Sequence, residues 1–154
     1  MFKLISKTLA AVAMVSVALF GSANAKTLKI ETHFTASSPN GEVAAQFAKN
    51  VEMFSGGSLK IEMFYSSSVT GKSAEVFNSA QTGIIDCDMT GAGYQTGKNA
   101  AFQFAGDVMG GYDNPYQQYE FLNFPGAQEA VDALYNKYGM TLIGWWIPGH
   151  ESLI

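Results

Sequence analysis

The spacing of apolar positions changes several times along this chain, and each change marks an element. Residues 28–34 (LKIETHF) alternate, placing Leu28, Ile30 and Thr32 on one side of a strand. Ser38 then offers an N-cap and Pro39 a first helical residue. Val43, Ala44, Phe47, Ala48 and Val51 follow at spacings of three and four, predicting a helix to about Phe54. Ser55-Gly56-Gly57 ends it, and alternation returns from Leu59 to Tyr65 as a second strand. A serine-rich turn through Gly71 leads to a helix over 73–82, with Val76, Phe77 and Ala80 inward and Gly83 as its stop. Ile84 to Met89 predicts a short third strand. Strands joined by helix-length connections make right-handed βαβ units, so the expected class is α/β with a mainly parallel sheet flanked by helices.

Beyond Met89 the pattern loosens. Gly91, Gly93, Gly97, Gly106, Gly110 and Gly111 stand among many aromatic residues, predicting loop and short helices over the sheet edge. Asp113 is placed to cap a helix with Pro115 in its first turn, running to about Asn123. Gly126 to Tyr138 reads as another, with Ala127, Ala130, Val131 and Leu134 inward, and Met140 to Ile147 as a final strand. The aromatic residues from Phe102 to Trp146 are expected mostly in the core, with some lining an apolar pocket.

The start of the chain follows a different logic. Lys3 and Lys7 precede an apolar run of 12 residues, Leu9 to Phe20, and Ala23-Asn24-Ala25 supplies a small-x-small cleavage site. This is the anatomy of a secretory signal peptide over residues 1–25, so the chain is expected to be exported. Such a run is too short for a hydrocarbon core of ~30 Å, so the mature chain from Lys26 is expected to be soluble. No cysteine follows the cleavage site to carry a lipid anchor, and in a double-membraned bacterium the destination is the periplasm.

Removing residues 1–25 leaves seven lysines, no arginine and 13 acids, a net charge of −6 instead of −4. An acidic chain without a basic cluster argues against nucleic acid as a partner. Cys87, the single cysteine, excludes an intramolecular disulfide and, lying between Asp86 and Asp88, is expected to be an inert thiol.

Catalytic patterns are thin. Gly91-Ala92-Gly93-Tyr94-Gln95-Thr96-Gly97 misses the dinucleotide-binding spacing by one residue; it fits better as a loop at the C-terminal end of a parallel sheet, where open α/β folds bind ligands. His150-Glu151 begins like a zinc-protease helix, but the residue three beyond Glu151 is Ile154 in place of the second histidine. No Gly-x-Ser-x-Gly turn holds a nucleophile against His33 or His150. Asp86 and Asp88 fall on one side of a strand, a geometry that allows a shared metal or proton, although Asp86 near the strand start suits a structural bond to the preceding turn.

Two stretches carry a family resemblance: TLKIETHFTASSPNGEVAAQFAKNVEMFSGGSLKIEMFYSSSVTG from Thr27, and EVFNSAQTGIIDCDMTGAGYQTGKNAAFQF from Glu75. In their order and spacing, and in the LYNKYGMTLIGWW segment from Leu134, they resemble the N-terminal lobe of the DctP-type solute-binding proteins of TRAP transporters. The resemblance implies a two-lobed, hinge-closing protein that captures a small organic acid and delivers it to a small and a large membrane subunit. It implies no enzyme activity and no cofactor. It further implies that residues 26–154 are the N-terminal lobe plus the start of a strand crossing to a second lobe outside this chain. The family commonly clamps the ligand carboxylate with arginine, which this chain lacks, so that residue is expected in the second lobe. By position the resemblance implies ligand contacts from Phe34, Tyr94, Trp146 and Glu151. Glutamine is the more familiar residue at the Glu151 position, and an acid there favours a ligand with a hydroxyl or amine donor, or a bound cation. Two other readings compete: an exported α/β hydrolase with its catalytic residues elsewhere, and a binding module for ABC import or chemoreception.

Overall fold

A computed structural model describes residues 25–147 except positions 107 and 109. The expected signal peptide and Glu151 therefore lie outside the described residues, Ala25 apart. Within them the order is β1 (Lys26–Thr32), α1 (Pro39–Phe54), β2 (Leu59–Phe64), a 3-10 turn (Ser73–Glu75) continuing into α2 (Val76–Gln81), and β3 (Cys87–Met89). Two further 3-10 turns, Ala92–Gln95 and Ala100–Phe104, precede α3 (Pro115–Asn123) and α4 (Pro125–Asn136).

The sheet is parallel with order β2-β1-β3, so β1 is central. Lys26 pairs with Leu59 and Glu31 with Phe64 on one side; Ile30, Glu31 and Thr32 pair with Cys87, Asp88 and Met89 on the other. The expected α/β class and parallel pairing are both present. β1 is displaced toward the N-terminus of its expected span, and β3 begins at Cys87 because Asp86 is occupied in bridging: its N–H donates to the Lys29 carbonyl and its carboxylate accepts the Lys29 N–H, each at 2.8 Å. The bond expected to the preceding turn goes to β1 instead.

Local chemistry explains the helix boundaries. The Ser38 hydroxyl accepts the Gly41 N–H at 3.1 Å, and Pro39 occupies the first turn of α1. Gly41 is required for contact, since a Cβ there would collide with the Thr35 carbonyl oxygen. Gly83, at φ +78°, takes the left-handed conformation that ends the turn after α2. The cap of α3 is Asn114, one residue later than expected: its Oδ1 accepts from the N–H groups of both Tyr116 and Gln117, whereas the Asp113 N–H donates to the Gln117 side chain.

The core of the second half is aromatic. Phe77 of α2 packs against Phe102 at 5.7 Å between ring centroids, and Phe102 against Tyr135 of α4 at 5.2 Å, with Tyr138 completing the group. Met140, Leu142 and Trp145 pack on the same cluster. The strand expected over 140–147 is absent: these residues form no ladder with the sheet. The segment is held by side-chain packing and by the Leu142 N–H donating to Asp132 Oδ1. A second correction concerns the aromatic residues beyond Phe102. Phe104, Tyr116, Tyr119, Phe121 and Phe124 are exposed, and of α3 only Leu122 is buried. Among the described residues no helix is long and apolar enough to cross a membrane.

Candidate ligand-binding site

In a parallel sheet every strand delivers its following loop to the same edge, and three such loops meet here. Phe34 follows β1, Ser66–Thr70 follows β2, and Tyr94 follows β3. The first two are tied to each other by backbone bonds: the Ser67 N–H donates to the Thr32 carbonyl at 3.0 Å, and the Ser66 N–H to the Phe34 carbonyl at 2.9 Å. Ser66 and Ser67 both adopt positive φ, at 58° and 50°. Two consecutive non-glycine residues in this conformation cost about 1–3 kcal/mol each and persist only where neighbouring bonds over-determine them. Those bonds run to the end of β1.

Three of the four expected site residues come together. His33 lies 3.9 Å from Phe34 and 5.4 Å from Tyr94, ring centroid to centroid, and Phe34 lies 5.5 Å from Trp146. Phe34 and Trp146 are half-buried and Tyr94 is 47% exposed, so the group forms a partly open apolar wall with imidazole and phenol groups at its edge. Glu151 lies outside the described residues. His33, expected as a structural residue at a strand end, joins the cluster; its place directly before Phe34 was the available signal. Gln95 was not anticipated: it is buried, and its amide donates to the Ala74 carbonyl at 3.2 Å, fixing the turn that carries Tyr94.

Beneath these loops lie two acids. Glu31 is fully buried, and its Oε1 accepts the N–H groups of Val69 at 2.6 Å and Thr70 at 3.3 Å. Its register partner Asp88 accepts the Thr90 hydroxyl at 2.6 Å. Burial pushes the Asp88 carboxyl up to about 6; the bonds from Thr90 lower it and the Glu31 charge raises it. Burial is also the main cause raising the Cys87 thiol, followed by Asp86 and Asp88, which accords with an inert cysteine. Among the described residues no group of three or more His, Cys, Asp or Glu side chains is placed to hold a metal.

A separate groove of about 370 Å³ is lined by Asn123, Pro125, Gln128, Glu129, Asp132, Thr141 and Leu142. None of the aromatic wall residues lines it, and its walls come from α3, α4 and the segment after them. A wall at the C-terminal edge of a parallel sheet is the stronger ligand site, on topology.

Comparison with known proteins follows the same line. The model of bacterial extracellular solute-binding proteins, family 7 (DctP), matches residues 30–153. No curated protein matches the chain. A TRAP periplasmic solute-binding protein of Rhodobacter sphaeroides, in an open structure without ligand, is 27% identical with a TM-score of 0.71, over 77% of this chain and 38% of that one. A TRAP solute-binding protein of Pseudoalteromonas atlantica, with bound sodium and pyruvate, is 20% identical with a TM-score of 0.68, over 75% and 35%. An extracytoplasmic solute receptor of Bordetella pertussis that binds pyroglutamic acid is 21% identical with a TM-score of 0.63, over 77% and 38%. The chain thus spans well under half the length of these proteins.

Proposed function

Since the chain belongs to the bacterial extracellular solute-binding proteins of family 7, we propose that it forms the N-terminal lobe of a TRAP-type receptor for a small organic acid. The observation that carries this reading is the run of ring contacts from Tyr94 through His33 and Phe34 to Trp146 at the loop edge of the sheet. Such a wall presents flat apolar surface to a ligand's carbon frame while leaving its charged end to groups elsewhere. The ligand class is that of the pyruvate and pyroglutamic acid named for the similar structures.

In this reading residues 1–25 are a signal peptide, removed on export to the periplasm, and residues 26–154 supply one wall of a cleft between two lobes. The second lobe brings the arginine that this chain lacks. Glu151 is taken as a further ligand contact, from the family resemblance alone. Capture requires no catalysis: the ligand favours the closed state because only there do both lobes touch it, and the closed receptor docks on the small and large membrane subunits.

The reading is tested by thermal shift of the full-length gene product against keto acids, hydroxy acids, dicarboxylates, sugar acids and amino acids. One class is expected to raise the melting temperature, with the compound recovered unchanged, since ligand that binds only the native state stabilises it in proportion to the logarithm of its concentration. Trp146→Ala and Tyr94→Ala should each weaken that shift. Consumption of the compound would establish an enzyme, and a panel without any shift would overturn the organic-acid class.

A further inference from the structure

Glu31 and Asp88 are directly opposed in the parallel ladder between β1 and β3. In-register residues place their side chains on the same face, with neighbouring strands about 4.8 Å apart. The carboxyls are therefore close neighbours, and both are withdrawn from water. Glu31 Oε1 is committed to the amides of Val69 and Thr70, whereas its Oε2 is buried with no hydrogen-bond partner. Asp88 Oδ1 is committed to the Thr90 hydroxyl. A buried carboxylate oxygen without a donor, as at Glu31, is expensive, and two adjacent carboxylates repel. A proton carried by Asp88 and donated to Glu31 Oε2 would answer both defects.

Among the described residues no donor reaches Glu31 Oε2; the imidazole next along β1's chain is that of His33, two positions beyond Glu31. On β1, Lys29 shares this face but is exposed, and its neighbours are Asp86, just before β3, and Glu62 on β2. The β2 residue beside Glu31 is Phe64, which is apolar. From α4, Tyr135 feels the Asp88 charge: its phenol is pushed up to about 12, first by burial and then by that carboxylate. Cys87 adjoins Asp88 in β3, and Lys26 acts on the Cys87 thiol. The charge acting on Asp88 is that of another anion, Glu31.

We propose that Glu31 and Asp88 bind one proton between them and so form an acid-stabilised latch that ties the loops after β2 and β3 to the sheet. Glu31 holds the first loop through Val69 and Thr70, and Asp88 holds the second through Thr90. When the proton leaves, repulsion between the carboxylates loosens both attachments. The sign follows from linkage: a carboxyl whose folded value lies above its unfolded value favours the folded protein at low pH. That contribution is complete below the ordinary value of 3.8 and is lost as pH rises through about 6.

The test is a carbon-13 NMR titration of the side-chain carboxyls in the full-length gene product, with amide hydrogen exchange at Val69 and Thr70 followed across the same pH range. One carboxyl is expected to titrate at least one pH unit above the ordinary carboxylate range. Exchange at both amides should accelerate between pH 5 and 7 beyond the tenfold per unit due to base catalysis. Asp88→Asn and Glu31→Gln should each remove the accompanying pH dependence of the melting temperature, whereas Asp86→Asn should leave it. Ordinary titration of every carboxyl, or exchange that follows base catalysis alone, would overturn the latch even if neither variant folds. Neither readout uses a ligand, so both stand apart from the receptor reading.

Discussion

Residues 26–89 and residues 92–147 are held together differently. The first region is a βαβαβ unit in which β1 is bonded on both sides and α1 is fixed by the Ser38 cap and the Gly41 contact. The second consists of short turns and helices without a ladder, converging on the Phe77–Phe102–Tyr135–Tyr138 group, and Tyr116 on its outer surface is 80% exposed. Backbone hydrogen bonds organise one region, and aromatic packing attaches the other to it. The site lies at the boundary, taking Phe34 from the first region and Tyr94 and Trp146 from the second. Its geometry therefore depends on the joint as much as on either part.

The joint is the place to break this comparison. Phe77 is fully buried and touches Phe102, Tyr135 and Tyr138. Phe77→Ala is expected to cost about 3–5 kcal/mol in chemical denaturation, because a large cavity opens where two regions meet. A loss under about 1 kcal/mol would mean that the second region is attached by something else. Next in size is Gly41→Ala, which attacks the first region alone. Its methyl must displace the Thr35 backbone, so a loss of about 1–3 kcal/mol is expected by the same measurement. That displacement should also carry the Phe34 loop, weakening ligand binding without touching the ligand. The smallest effect belongs to the outer surface of the second region: Tyr116→Ser should change stability by less than about 0.5 kcal/mol. A larger loss would show that the exposed aromatic face is covered in the folded protein.

How far the sequence revealed these regions follows the same division. In the first, Ser38, Pro39 and Gly83 announced the ends of helices through local chemistry, and the alternation from Leu59 to Tyr65 announced β2, which ends at Phe64. These are signals carried by residues near in sequence. In the second, the alternation over 140–147 has two physical outcomes, a strand or an extended segment packed by its side chains. Periodicity cannot choose between them, since the choice rests on contacts with residues distant in sequence, here the aromatic cluster and Asp132. The cap of α3 was missed by one residue because Asp113 and Asn114 are both competent cap residues, and backbone geometry selected Asn114.

The candidate site shows the same limit. Family resemblance pointed to Phe34, Tyr94 and Trp146, which are separated by up to 112 positions, and the structure brought them into one group with His33. Glu31, Gln95 and the strained Ser66–Ser67 pair left no legible trace. A glutamate in an alternating strand reads as a solvent-facing residue until the pairing partner and covering loop are known. Thus the sequence by itself determined the α/β class, the first helix with its cap, the acidic charge without arginine, and the family. Only the tertiary structure decided the order β2-β1-β3, the burial of Glu31 against Asp88 and the meeting of three loops at one sheet edge. The physical reason is range: caps, turns and periodicity are local energies, whereas pairing and burial depend on residues that only folding brings near.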